Sequence, residues 1–108
     1  MLWEHLVLDA LIAARLPKIH YWQDKQQREV DFVIPRRRDD VDAIECKWSP
    51  EAFEAWVLKA FREHYPSGRN YLVCPLNGPV YERVYEGLAV TVVSPGELRQ
   101  RLNLVFLG

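Results

Sequence analysis

The sequence predicts a single α/β domain spanning residues 1–108, with a mixed central sheet flanked by helices. Strand-like and helix-like segments alternate along the chain, and a helical segment between two apolar strands implies a right-handed crossover with those strands parallel. Size supports the same reading, since 108 residues with 49% hydrophobic content make one core and no more. The expected order is α-β-β-β-α-β, followed by a further strand and a short helix.

The first segment places Trp3, Leu6, Val7, Ala10, Leu11 and Ala14 at the spacings of one helix face and ends before Pro17. Leu2, Leu8 and Ile12 fall off that face, so the helix is apolar over much of its circumference. An apolar surface of that kind predicts a homodimer or a domain–domain contact through Leu2, Leu8 or Ile12. Ile19 to Trp22 is rich in strand formers and closes at the polar turn Asp24-Lys25-Gln26-Gln27. A second strand runs from Arg28 to Ile34, the stretch from Pro35 to Asp40 breaks it, and a third strand runs from Val41 to Trp48. Ser49 suits an N-cap, Pro50 the first helical position and Glu51 the positive helix end. Phe53, Trp56, Val57, Ala60 and Phe61 continue that helix until Tyr65-Pro66-Ser67-Gly68. Asn70 to Cys74 is a short apolar strand, Asn77-Gly78-Pro79 a turn and Leu88 to Val93 a strand, while Val80 to Tyr85 is ambiguous. Ser94-Pro95-Gly96-Glu97 carries a capping box that opens a last helix through Leu102.

Fourteen basic residues against fifteen acidic ones leave a net charge of -1, which excludes the electrostatic footprint of a strongly basic nucleic-acid binder and makes any such contact local. Cys46 and Cys74 match no zinc spacing and read as reduced core thiols. The opening segment is interrupted by Glu4, His5, Asp9 and Arg15 and carries no basic leader or small-residue cleavage site, so no membrane association and a cytoplasmic location are expected. Nothing in the sequence calls for a small-molecule cofactor.

Chemistry concentrates on the second and third strands. Strict alternation puts Glu29, Asp31 and Val33 on one face of the second strand and Val30, Phe32 and Ile34 on the other. On the third, Val41, Ala43, Glu45 and Lys47 share a face, and Ile44, Cys46 and Trp48 the opposite one. In a hairpin centred on Arg38, Asp31 and Glu45 are equidistant from the centre and lie opposite each other. Cross-strand neighbours have Cβ atoms about 5 Å apart, so two carboxylates there repel unless a metal, a proton or a base compensates. Lys47 is one candidate base. The alternative is a solvated face with surface ion pairs, Glu29 opposite Lys47 with Arg28 nearby.

Asp31 followed by Glu45-Cys46-Lys47, after a helix bearing Glu4, resembles the PD-(D/E)xK nuclease superfamily with its restriction-endonuclease-like fold. Leu2-Trp3-Glu4-His5-Leu6-Val7, His20-Tyr21-Trp22, Glu29-Val30-Asp31-Phe32-Val33 and Ile44-Glu45-Cys46-Lys47 resemble more narrowly the C-terminal domain of unknown function in predicted prokaryotic AAA+-type ATPases. The resemblance implies that Asp31 and Glu45 bind magnesium or manganese, with the Cys46 carbonyl as a further ligand. It implies that Lys47 positions or activates water and that Glu4 is an accessory acid. DNA is the implied substrate; an ATPase domain or a second copy is the implied partner. No G-x-x-x-x-G-K-[ST] phosphate loop is present, so the chain is expected to be a fragment or a free-standing relative of such an ATPase. A catalytically silent docking module is the competing expectation.

Arg36, Arg37 and Arg38 are candidate phosphate contacts at the mouth of the site, against the alternative of a solvated hairpin loop. Trp22, Trp48, Trp56 and Tyr71 lie on faces that a core would use, His20 reads as a packed strand histidine and His64 as a helix-end cation.

Overall fold

A mixed sheet of six strands in the order β1-β2-β3-β4-β6-β5 organises the chain. In the computed structural model, which describes residues 7–8, 19–37, 39–75 and 78–107 (side chains of 37 and 103–107 excepted), the strands are β1 (His20–Gln23), β2 (Glu29–Arg37), β3 (Asp40–Cys46), β4 (Asn70–Val73), β5 (Tyr81–Tyr85) and β6 (Leu88–Val93). A short 3-10 turn covers Pro50–Ala52, and two helices follow, α1 (Ala55–His64) and α2 (Pro95–Leu107). Of the first predicted helix, Val7 and Leu8 are described and are helical; Leu2 and Ile12 lie outside the described residues. Among the described residues no helix is long and apolar enough to cross a membrane.

β1, β2 and β3 are antiparallel neighbours, whereas β3 and β4 run parallel, as the strand, helix, strand succession requires, and β6 runs parallel to β4. Each face of the sheet carries its own core. Val30, Val33, Val41, Ala43 and Leu72 pack beneath Phe53, Leu58 and Phe61 on one side. On the other, Ile34, Ile44, Cys46, Tyr71 and Val73 meet Val7 and the α2 residues Leu98 and Leu102. β3 is consequently buried on both faces, and the solvated third-strand face allowed by the surface-ion-pair alternative is absent.

Several boundaries depart from expectation for identifiable reasons. β2 continues through Pro35 to Arg37. Proline is tolerated because the β1 ladder ends at the His20–Val33 pair, so among the described residues no strand is there to miss its N–H. The cap signals at Ser49-Pro50-Glu51 open the 3-10 turn instead of the helix, and Ser49 makes no side-chain cap. Phe53 and Glu54 are extended before α1 starts at Ala55. That break turns Trp56 outward, 51% exposed, with its indole N–H donating to Glu54 Oε2 at 2.7 Å. Trp48 (63% exposed) likewise stands outside the core, and His20 is exposed. Trp22 and Tyr71 are packed as expected, Trp22 edge-on against Phe61 at 5.5 Å. The ambiguous Val80 to Tyr85 stretch holds β5, an exposed edge strand joined to β6 by Glu86-Gly87, both at positive φ, as a two-residue hairpin demands. At α2 the Glu97 amide donates to Ser94 Oγ at 3.3 Å, one half of the expected capping box, and the helix runs past Leu102 to Leu107.

Candidate functional site

The β2–β3 register is the one a hairpin centred on Arg38 requires: Phe32 pairs with Ile44, Val33 with Ala43 and Ile34 with Asp42. The ladder stops at the Phe32–Ile44 pair because β2 is irregular there. Along β1, His20 opposes Val33 and Trp22 opposes Val30, so two steps on β1 match three on β2, and the extra residue lies at Asp31–Phe32. This bulge corrects the strict alternation expected of the second strand. Val30 and Val33 share the α1-side core, and Phe32 and Ile34 the other.

The bulge brings the two candidate acids together. The Asp31 amide donates to Glu45 Oε1 at 3.0 Å, and the Cys46 amide donates to Asp31 Oδ2 at 2.8 Å. Each carboxylate thus accepts an N–H from the other's strand, and Asp31 stands in for the strand carbonyl that a regular ladder would supply to Cys46. Amide-to-carboxylate hydrogen bonds are charge-assisted and fix the orientation of both acids. Glu45 is only 6% exposed and Asp31 is half-buried, so this is no solvated pair. A cleft of about 400 Å³ opens beside Asp31, walled in part by Leu8, Tyr21 and Glu29.

Lys47 follows directly, half-buried, its amide donating to Val73 O at 3.0 Å and so extending the β3–β4 ladder. Among the described residues the Glu29–Lys47 pair of the surface-ion-pair alternative is not among the ion pairs. Glu4 and Arg38 lie outside the described residues, as does the side chain of Arg37. Among the described residues no three His, Cys, Asp or Glu side chains gather as a metal set. Cys46 and Cys74 are both buried, and burial pushes the Cys74 thiol up to about 11, which leaves it protonated at neutral pH.

Arg36 has a structural partner that sequence reading missed. Its Nε lies 3.1 Å from Oδ1 of Asp42, a fully buried carboxylate in the centre of β3 that also accepts the Arg69 amide at 3.0 Å. The signal was available: Asp42 sits two residues before Ile44 and Arg36 two after Ile34, within the same register. Burial outweighs the nearby arginines and raises the Asp42 pKa above its ordinary 3.8. The folded state therefore holds this proton more tightly than the unfolded chain, and the Asp42 contribution to stability falls as pH rises from about 4 through the folded value. Asp42→Asn keeps the acceptor for Arg69 and removes that titration. Urea unfolding at several pH values should show the parent losing stability relative to Asp42→Asn as pH rises across this window; a constant difference would contradict the assignment.

A family model described as "Domain of unknown function (DUF4143)" matches residues 1–94. No curated protein matches the chain. Among solved structures, the fold is similar to a chain in the refined half-complex from a tetradecameric assembly of Thermococcus gammatolerans McrB AAA+ hexamers with bound McrC. The TM-score is 0.60 at 13% identity, over 96% of this chain and 32% of that one. The likeness is one of fold, and this chain spans about a third of the length of the chain it matches.

Proposed function

The chain belongs to the DUF4143 family, and from that premise we propose that it is a nuclease-like domain whose Asp31–Glu45 pair serves metal-dependent phosphodiester hydrolysis. The observation that carries this reading is the reciprocal pair of hydrogen bonds at the β2 bulge, which holds two acids together at a buried position of a central strand. Two carboxylates held together at one bulge concentrate negative charge that a divalent cation would neutralise.

The donor chemistry fits a hard divalent cation. Asp31 and Glu45 offer carboxylate oxygens, and a strand residue turns its N–H and C=O to the same side, so the Cys46 carbonyl follows the Cys46 amide toward Asp31. Magnesium or manganese held there would neutralise a phosphodiester and supply an activated water. Lys47 orients that water and balances charge developing on the phosphate, Glu4 is the accessory acid, and Arg36, Arg37 and Arg38 are weaker candidates for phosphate contact. The restriction-endonuclease-like core belongs to the same reading, with DNA as substrate.

A second reading, a silent module that docks on an ATPase, draws support from the fold's likeness to part of a chain in the McrB–McrC assembly. Cleavage assays on single- and double-stranded DNA and RNA with magnesium or manganese separate the two. Activity is expected in the parent, with a loss of about a hundredfold or more in both Asp31→Asn and Lys47→Ala. Folded parent protein that cleaves none of these substrates would favour the docking module.

A further inference from the structure

The cleft beside Asp31 carries an aromatic wall that the acid pair does not use. Tyr21, on the edge strand β1, is 74% exposed and lines this cleft of about 400 Å³ together with Asp31 and Glu29. On β1, His20 opposes Val33 and Trp22 opposes Val30, so Tyr21 sits opposite the Asp31–Phe32 bulge. Trp22 packs edge-on against Phe61, whereas alternation turns Tyr21 to the other face, and among the described residues its ring meets no other ring. An exposed aromatic alone means little, but this one stands in the cleft of a candidate acid. Because β2 lies between β1 and β3, Asp31 has Tyr21 on one side and the exit of β3 on the other. There Trp48 follows Lys47 directly and is 63% exposed.

Charge at the cleft does not suit a duplex held by its backbone. Among the described residues its walls carry the carboxylates Glu29 and Asp31 and no lysine or arginine. Arg28 is paired with Asp24. Arg36 lies five residues along β2 from Asp31, about 16 Å away, and its Nε faces Asp42 at 3.1 Å. Duplex binding draws mainly on phosphate neutralisation, which these groups supply poorly. Stacking is the other source of binding energy, and it needs an unpaired base with an open face. A cleft of this volume has room for about one nucleotide and not for a stacked base pair.

Resting on the reading of Asp31 and Glu45 as a phosphodiester site, we infer that its substrate is single-stranded DNA, held by a base stacked on Tyr21 so that the adjoining phosphate reaches the acids. Trp48 offers a surface to a second base.

Fluorescence anisotropy on the full chain carrying Asp31→Asn, which removes one of the two charges that repel a phosphate, tests this with a labelled DNA dodecamer as single strand and as duplex. The single strand is expected to bind about tenfold or more tighter than the duplex. Adding Tyr21→Ala should weaken the single strand by about tenfold, while Tyr21→Phe, which keeps the ring, should leave its affinity unchanged. A fourfold rise in salt should weaken single-strand binding by only about threefold, the dependence of one phosphate contact. Tyr21 is exposed, so both variants fold as the parent does. Equal affinity for the two DNA forms, no binding of either, or unchanged single-strand affinity with Tyr21→Ala would overturn the inference. Cleavage by the parent in manganese is scored separately. Single-strand binding of this pattern without cleavage would contradict hydrolysis and leave stacking intact, whereas duplex cleaved as fast as single strand would contradict the inference and leave hydrolysis intact.

Discussion

Gly68→Ala is expected to destabilise the protein by about 3 kcal/mol, the sum of severe overpacking and a side chain forced into positive φ. Gly68 has φ +137°, and a Cβ added there would lie 2.6 Å from the Val41 carbonyl carbon and nearer still to its oxygen. Val41 cannot retreat. Its amide donates to Ser67 O at 2.9 Å, and its carbonyl accepts from Arg62 Nη1 at 3.0 Å. The clash therefore falls on the join between the α1–β4 loop and β3. Thermal unfolding should show a drop on the order of 10 °C for a domain of this size. A midpoint within a degree or two of the parent would show that the loop adjusts freely.

Arg62→Ala should cost a comparable amount, about 3 kcal/mol, because it strands several backbone carbonyls at once. Nε donates to Asn70 Oδ1 at 2.9 Å and Nη2 to Arg69 O at 2.8 Å. Nη1 faces the carbonyls of Val41, Tyr65 and Ser67 at 3.0 to 3.1 Å, sharing two hydrogens among three acceptors. Burial of the guanidinium lowers its pKa, while Asp42 opposes that shift. One side chain thus ties the end of α1, the loop after it, β3 and β4. Lysine supplies a point charge without the planar fork, so Arg62→Lys is expected to recover less than half of the loss. Amide exchange in residues 65–69 should accelerate in both variants; unchanged exchange would contradict the assignment.

Neither residue stands out in the sequence, and the reason is physical. Gly68 and Arg62 act through contacts with Val41, more than twenty residues away, whereas periodicity and capping signals report only local preferences. The same limit explains the bulge. Asp31 and Glu45 were legible as neighbours because hairpin symmetry about Arg38 fixes the register, but the extra residue at Asp31–Phe32 is visible only against β1. Trp56 read as core because an uninterrupted helix from Ser49 would place it with Phe53; the extended Phe53-Glu54 step resets the phase. β5 escaped reading because its residues are mostly exposed, which removes the alternation that marks a half-buried strand. The parallel β3–β4 pair and the β6 strand were legible because apolar runs and the strand, helix, strand order suffice for them.

The central claim is that Asp31 and Glu45 together hold a divalent cation, and thermal unfolding across a manganese or magnesium titration tests it most directly. A cation that binds only the folded state stabilises it by RT ln(1 + [L]/Kd), about 2.7 kcal/mol at a hundredfold excess over Kd. The midpoint of the parent is expected to climb with metal concentration. Asp31→Asn, which keeps an acceptor for the Cys46 amide and removes one charge from the pair, is expected to fold at least as stably without metal and to show no climb. A parent midpoint that stays flat in both metals, or an equal climb in parent and Asp31→Asn, would contradict the claim.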